Sequence, residues 1–210
     1  GANEGSGKDP GNIFGSAGDL VARYKFDETS GTDASCSLSD GNCDDLEGDV
    51  EGASWSTGIW ANGLDFDGSN DYVEIEDDDA LDITGDLTIS AWVNLDDNSG
   101  VSYIVNKWTS AGEESTGYYL RINDKGTGDD GYLRFQHAGE SCFSDTALNE
   151  DQWYFVVVTL SSGDSKIYID GDLDKTCTSS DETTSTNNLN LWIGAGSPSE
   201  YFLDGTIDDV

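Results

Sequence analysis

"LTISAWVNL", residues 87–95, is the stretch whose reading decides the fold. Leu87, Ile89, Ala91, Val93 and Leu95 fall on one parity, and Thr88, Ser90, Trp92 and Asn94 on the other. An extended chain sends successive side chains to opposite faces, so the first set lines a core and the second faces away from it. A helix would scatter the same five apolar residues around its circumference. Trp92, on the polar parity, stands outside or under a covering loop.

The alternation recurs to both sides of this stretch. In "LVARYKF" (20–26), Leu20, Ala22, Tyr24 and Phe26 share a face opposite Val21, Arg23 and Lys25. Further strand candidates are "YVEIE" (72–76), "VSYIVN" (101–106), "GYYLRI" (117–122) and "GYLRFQH" (131–137). They continue with "WYFVVVTLS" (153–161), "KIYID" (166–170), "LWIG" (191–194) and "GTIDDV" (205–210). Asp170-Gly171, directly after "KIYI", is a type I′ hairpin signal. No stretch carries a convincing helical period. About ten strands joined by turns predict an all-β, antiparallel sandwich. Residues 1–18, "GANEGSGKDPGNIFGSAG", are Gly/Ser-rich without periodicity and read as a linker or frayed tail, leaving 19–210 as one domain.

Charge is the extreme feature of the composition. The chain has 43 acids and 9 Lys/Arg, a formal net charge of −34. A small soluble domain usually carries about 2 to 8 charges net. Such self-repulsion destabilises a compact state at low ionic strength, and salt removes most of it, because the Debye length falls to about 3 Å at 1 M. The excess therefore reads as adaptation to a very salty medium, with a calcium-loaded extracellular protein as the alternative. Nucleic acid and anionic membrane surfaces are poor partners for a chain of the same sign. No apolar run approaches the length of a membrane helix, and no signal peptide is recognisable, so the sequence reads as a mature or excised piece.

Four cysteines, Cys36, Cys43, Cys142 and Cys177, allow three pairings. Proximity favours Cys36–Cys43, which leaves Cys142–Cys177. The alternatives are reduced thiols or a metal cluster, but there is no CxxC and His137 is the one histidine. Disulfides imply an oxidising, extracellular setting.

An ordered series of segments carries a family resemblance: "LVARYKFDETSGT", "DDLEGDVEGASWSTGIWANGLDFDGSNDYVEI", "LTISAWVNL", "DQWYFVVVTL", "KIYIDGDL", "LWIGAG" and "LDGTIDDV". Together they resemble the laminin-G-like, pentraxin-like branch of the concanavalin A-like lectin/glucanase superfamily over about residues 19–210. The resemblance implies a jelly roll of two antiparallel sheets in a secreted or surface protein that binds glycans or proteins, often with calcium. Family members usually continue past the last motif with a further strand and short helix, so the closing edge is expected to be missing or trimmed. In the matching motifs Trp55, Trp153 and Trp192 are expected in the core.

The resemblance also implies a structural Ca2+ at the edge of the sandwich, with Asp27, the Asp67–Gly68 turn and Asp208 at the matching positions. The competing reading is that these acids are turn formers and solvated charge. Read as an EF-hand, "DFDGSNDYVEIE" offers Asp65, Asp67, Ser69, Asp71 and Glu76, but Asn70 stands where the sharp turn needs Gly, and the following residues alternate like a strand. The paired-calcium site of pentraxins is not reproduced, since "SPSEYFLDG" offers only Glu200 and Asp204. "EGDVE" places Glu47, Asp49 and Glu51 at the spacing of a retaining glucanase strand. It lies early in the chain, though, and Gly48 weakens a strand there, so it reads instead as a turn. His137 shares parity with Leu133 and Phe135, which favours a core or edge position over a general base.

The cations draw more attention. If the segments flanking "NDKGTGDDG" form a hairpin, Leu120, Ile122, Leu133 and Phe135 face the core. Tyr119, Arg121, Tyr132, Arg134 and Gln136 then face outward, with Trp108 on a nearby loop. Rings beside guanidinium and amide donors suit a sugar, while salt bridging of both Arg to the abundant acids is the plainer expectation. The sequence predicts a non-catalytic recognition or adhesion module of a larger surface protein. A carbohydrate-binding module attached to a polysaccharide-degrading enzyme is the runner-up, and a glycosidase a distant third.

Overall fold

The computed structural model describes residues 20–38, 43, 46–109, 116–123, 131–179 and 184–210; the tail assigned to 1–18 lies outside the described residues. Among the described residues, fifteen strands form two antiparallel sheets. One runs, in spatial order, β1 (Asp33–Ala34), β2 (Gly48–Glu51), β5 (Tyr72–Ile75), β14 (Leu191–Ile193), β7 (Ser102–Thr109), β8 (Thr116–Asn123), β9 (Tyr132–His137) and β10 (Glu140–Ala147). The other runs β13 (Asp172–Thr178), β12 (Asp164–Ile169), β11 (Trp153–Ser161), β6 (Leu87–Asp97), β15 (Asp204–Asp208), β4 (Asn62–Asp67) and β3 (Ser54–Thr57). The arrangement is the sandwich of a concanavalin A-like jelly roll.

The opening stretch lies at the middle of the second sheet, as β6, with β11 on one side and β15 on the other. Its apolar parity is buried throughout. Cross-strand partners continue the same face: Tyr154 opposite Val93, Val156 opposite Ala91, Val158 opposite Ile89, and Ile207 opposite Val93. Ile75, Ile104, Leu120, Ile122, Leu133, Phe135 and Ile193 meet them from the first sheet, all with no exposure. Trp92 is on the outward face, with Trp60 edge-on to it at 6.3 Å and Phe155 tilted against it at 5.2 Å. The Asp170-Gly171 hairpin forms as expected: φ is 53° and 87°, the left-handed pair that joins Ile169 to Asp172.

Three expectations change. "LVARYKF" buries Tyr24 and Phe26 as its parity requires, but it forms an isolated bridge from Tyr24 to Cys36 rather than a strand. Phe26 has φ 53°, which ends the extended run. "EGDVE" forms strand β2 instead of a turn, because Gly48 is where the chain comes close to β5: a Cβ there would lie 2.6 Å from Val73 Cγ1. Strands β1, β3, β4, β10 and β13 were not anticipated. β3, β10 and β13 are mostly exposed and polar, so they lack an apolar alternation to read.

Both disulfides form, Cys36–Cys43 and Cys142–Cys177. The second joins β10 to β13 and so ties an edge of one sheet to an edge of the other. His137 Nε2 lies 3.1 Å from Ser165 Oγ across the same gap, and the ring stacks on Phe135. It is a core histidine. Arg23 grips Asp209 through Nε and Nη2 at 2.7 and 3.1 Å, next to the paired backbones of Tyr24 and Val210.

In the chain-entropy picture, removing Cys142–Cys177 costs about 3.8 kcal/mol and removing Cys36–Cys43 about 2.5. Urea unfolding of C142S/C177S and C36S/C43S in 2 M NaCl should show that order. Equal or reversed losses would mean that chain entropy does not set the contribution of these bonds.

Candidate functional site

The outward face of the eight-stranded sheet carries two cross-strand rows. Following the register from β2 to β10, the first row is Asp49, Glu74, Trp192, Asn106, Tyr119, Gln136 and Ser141. The second, shorter row is Tyr103, Arg121, Arg134 and Phe143. Acids therefore sit at one end of the face and guanidinium, ring and amide groups at the other.

Tyr119 is the hub. It is nearly fully buried although it points outward, because its neighbours close over it. Tyr103 and Trp108 meet it edge-on at 5.2 and 5.7 Å. Arg121 and Arg134 lie over its ring at 4.8 and 5.7 Å from the centroid. Its hydroxyl donates to Gln136 Oε1 at 2.5 Å, and the same oxygen accepts from Arg134 Nη2 and Ser141 Oγ. Burial pushes the Tyr119 phenol up to about 12, and the two guanidinium charges pull the other way. Arg121 Nη1 donates to the Tyr103 hydroxyl at 2.8 Å. Tyr201, half exposed, lies 6.0 Å from Tyr103. Asn106 donates to the Gly196 carbonyl, while its buried Oδ1 has no hydrogen-bond partner among the described residues.

Of the six expected ligand-binding residues, Trp108, Tyr119, Arg121, Arg134 and Gln136 are brought together. Tyr132 lies on the same face at the start of β9, opposite Ala147. The expected salt bridging of the two Arg is absent: among the described residues neither has a carboxylate partner. Sequence reasoning missed Tyr103, Asn106, Trp192 and Tyr201. Trp192 is not a core residue; it is half-buried on the outward face, its Nε1 donating to Glu74 Oε1. Tyr103 and Asn106 share this face because a bulge between Tyr103 and Val105 breaks the parity of β7.

The four expected calcium ligands are not brought to one place. Asp67 pairs with Asp204 at the start of β15, and Gly68 donates its amide to the Leu203 carbonyl. Asp208 is four residues further along β15, about 13 Å away at strand rise. Asp27 does sit near Asp208, close enough for its charge to be felt there. Among the described residues no group of three or more His, Cys, Asp or Glu could hold a metal ion. Glu47, Asp49 and Glu51 all point to solvent on or beside β2, without the apolar surround that a general acid requires.

The family profile of the concanavalin A-like lectin/glucanases superfamily matches residues 67–210. The chain belongs to that superfamily. Comparison with curated protein sequences finds no match. Among solved structures, this superfamily member is similar to domain 4 of AbnA, a GH43 extracellular arabinanase from Geobacillus stearothermophilus, in complex with arabinotriose. Identity there is 16%, the TM-score 0.66, and the match covers 90% of this chain and 89% of that one. The binding domain of Paraclostridial Mosquitocidal Protein 1 matches at 15% identity and TM-score 0.65, over 92% of this chain and 48% of that one. The ligand binding domain of botulinum neurotoxin serotype D, in complex with N-acetylneuraminic acid, matches at 17% and 0.62 over the same shares. At these identities the likeness is one of fold.

One carboxylate of the superfamily sandwich is under evident stress. Asp208, 2% exposed, has its pKa pushed up to about 6, first by burial and then by the charges of Asp209 and Asp27. The amides of Ile59 and Trp60 donate to Oδ2 and partly offset this. Because the folded value lies above the usual 3.8 of an aspartate, the folded state holds the proton more tightly. The Asp208 contribution to stability therefore falls as pH rises from about 4 to 6, by about 1–3 kcal/mol. In EDTA and 2 M NaCl, Asp208→Asn should flatten that slope and melt above the wild type at pH 7. A variant that melts lower would overturn this account.

Proposed function

We propose that this domain is a non-catalytic glycan-recognition module of a larger secreted or surface-anchored protein, suited to high salt. The observation that carries the reading is the row Trp192, Asn106, Tyr119, Gln136 and Ser141, flanked by Tyr103, Trp108 and Tyr201. Ring faces take the apolar face of a sugar, and amides and hydroxyls at the rim take its hydroxyls. Asn106 Oδ1 is a buried acceptor with no hydrogen-bond partner among the described residues. The exposed Glu47, Asp49 and Glu51 and the buried His137 support a binding rather than a catalytic role. Two disulfides support an extracellular setting.

The second reading, a module appended to a polysaccharide-degrading enzyme, is favoured by the fold likeness to domain 4 of an arabinanase over nearly its whole length. The two readings share the same binding face. Calcium enters the proposal as a structural ion at the Asp27–Asp208 edge, without Asp67 and Gly68. Added CaCl2 should then raise the melting temperature of the wild type and not of Asp208→Asn.

Retention on a panel of polysaccharides and a glycan array in 2 M NaCl tests the function. Trp108→Ala and Tyr201→Ala should each weaken binding at least about fivefold, with little change in melting temperature, since both side chains are partly exposed. Trp60→Ala, on the opposite sheet, should have no effect. Loss of binding on Trp60→Ala alone would move the site to the other face, and no retained glycan would sink the reading. Stability itself should rise steeply between about 0.1 and 2 M NaCl, where screening becomes short-ranged; a flat melting temperature would count against the salt assignment.

A further inference from the structure

Resting on that glycan-binding reading, we propose that Arg121 and Arg134 together receive the oxyanion of an acidic sugar, a carboxylate or sulfate carried on an otherwise uncharged glycan. The two residues are direct cross-strand partners on β8 and β9. Like charges in that position repel, so the pair is a cost to the fold that something must offset. The protein offers rings and neutral acceptors. Arg121 lies over Tyr103 and Tyr119, and Arg134 over Tyr119 and Phe143. Their hydrogen-bond acceptors are the Tyr103 hydroxyl, Gln136 Oε1 and Ser141 Oγ, none of them charged.

The absence of a carboxylate partner among the described residues is the informative part. With 43 acids and 9 bases, a cation here has no shortage of partners. Arg23 has Asp209, Lys107 has Asp77 and Asp82, and Lys175 has Asp145, while Lys25 and Lys166 make no ion pair among the described residues. Arg121 and Arg134 have none among the described residues, and Arg121 Nε is buried without any acceptor. Burial and the neighbouring Arg121 charge lower the Arg134 pKa, as expected for a guanidinium missing its counter-ion. Within the two rows, the acids Glu74 and Asp49 lie at the far end, separated from Arg121 by β7 and β14. An oxyanion seated between the two guanidinium groups would accept from both, with the exposed Tyr201 beside it to stack on the sugar ring.

The net charge restricts the ligand further. At −34 the protein repels a polyanion at low ionic strength over about a Debye length, so a sparsely charged glycan suits this face better than a dense one. The salt dependence then has an unusual sign. Raising the salt removes the long-range repulsion while leaving short, partly desolvated hydrogen bonds largely in place, so affinity should rise with ionic strength.

The test is an array of neutral, glucuronosyl, sialylated and sulfated oligosaccharides in 2 M NaCl. It is followed by titration of the best acidic hit against its methyl ester or desulfated form. Retained glycans should carry an oxyanion, and the carboxylate and sulfate arms separate its two sources. Neutralising that group should weaken binding at least about tenfold, as should Arg121→Gln and Arg134→Gln, with Arg134→Lys intermediate. Affinity for the acidic glycan should rise from 0.2 to 2 M NaCl. Neutral hits unaffected by either Arg→Gln, yet lost in Trp108→Ala and Tyr201→Ala, would overturn the acidic-sugar inference and leave the glycan reading standing. No retained glycan of any kind would remove both. If an Arg variant fails to fold, the ester and desulfation comparison on the wild-type protein decides alone.

Discussion

Like-charge repulsion is the constraint against which every other interaction in this domain works. Among the described acids only Asp71 and Asp208 are buried, and burial raises the pKa of both. The rest are at least partly exposed, where water and counter-ions screen them. Three of the described cations are placed where the fold closes. Arg23 clamps Asp209 beside the Tyr24–Val210 backbone pair, and Lys175 meets Asp145 beside the Cys142–Cys177 bridge. Lys107 is the extreme case, a fully buried ammonium held by Asp77, Asp82 and the Leu189 carbonyl. Removing one partner of such a buried set typically costs about 3–5 kcal/mol, because it strands a charge. Arg23, Lys107 and Lys175 therefore act as local fasteners, and two disulfides share that task.

The same charge protects what the sandwich leaves open. A two-sheet sandwich has four edges, and an edge strand with free backbone groups invites pairing with another chain. Here the edge strand β10 carries Glu140 and Asp145, and β13 carries Asp172, Asp174 and Lys175. The disulfide holds these two edges together, while their carboxylates oppose approach by an equally acidic second copy. Screening at high salt weakens that opposition but also strengthens the hold of the core, so the balance shifts from repulsion toward packing.

What the sequence disclosed follows from how strongly burial constrains each segment. β6 and β11 are central, with one face wholly buried, so their alternation is uninterrupted and their register follows from it. β10 and β13 bury little and left no pattern. The Arg121–Arg134 hairpin was legible because Leu120, Ile122, Leu133 and Phe135 fix its parity. Tyr103 and Asn106 were not, because the bulge before Val105 puts Tyr103 on the face of Asn106 where strict alternation would put it on that of Val105. Trp192 sits in a three-residue strand, too short to show which side its ring takes. Asp67 and Asp208 both belong to motifs at strand ends, but whether two ends of antiparallel strands coincide depends on register, which local sequence does not encode. That neither Arg has a carboxylate partner among the described residues could not be read at all, since it depends on where the acids do not go.

The acidic coat and the cationic pair are best understood as acting at different ranges. At low salt the summed field of the protein extends across the whole surface and a local pair of positive charges is submerged in it. At molar salt the field decays within about 3 Å, so a ligand senses only the groups it touches. The outward face of β7, β8 and β9 carries two guanidinium groups packed on Tyr103 and Tyr119 and hydrogen-bonded to neutral acceptors, contacts that depend little on screening. Arginine serves this purpose better than lysine, because its planar fork keeps directional hydrogen bonds where a point charge would be screened away. A chain of large net negative charge can thus still present the opposite charge at one place, where contact rather than attraction at a distance would govern recognition.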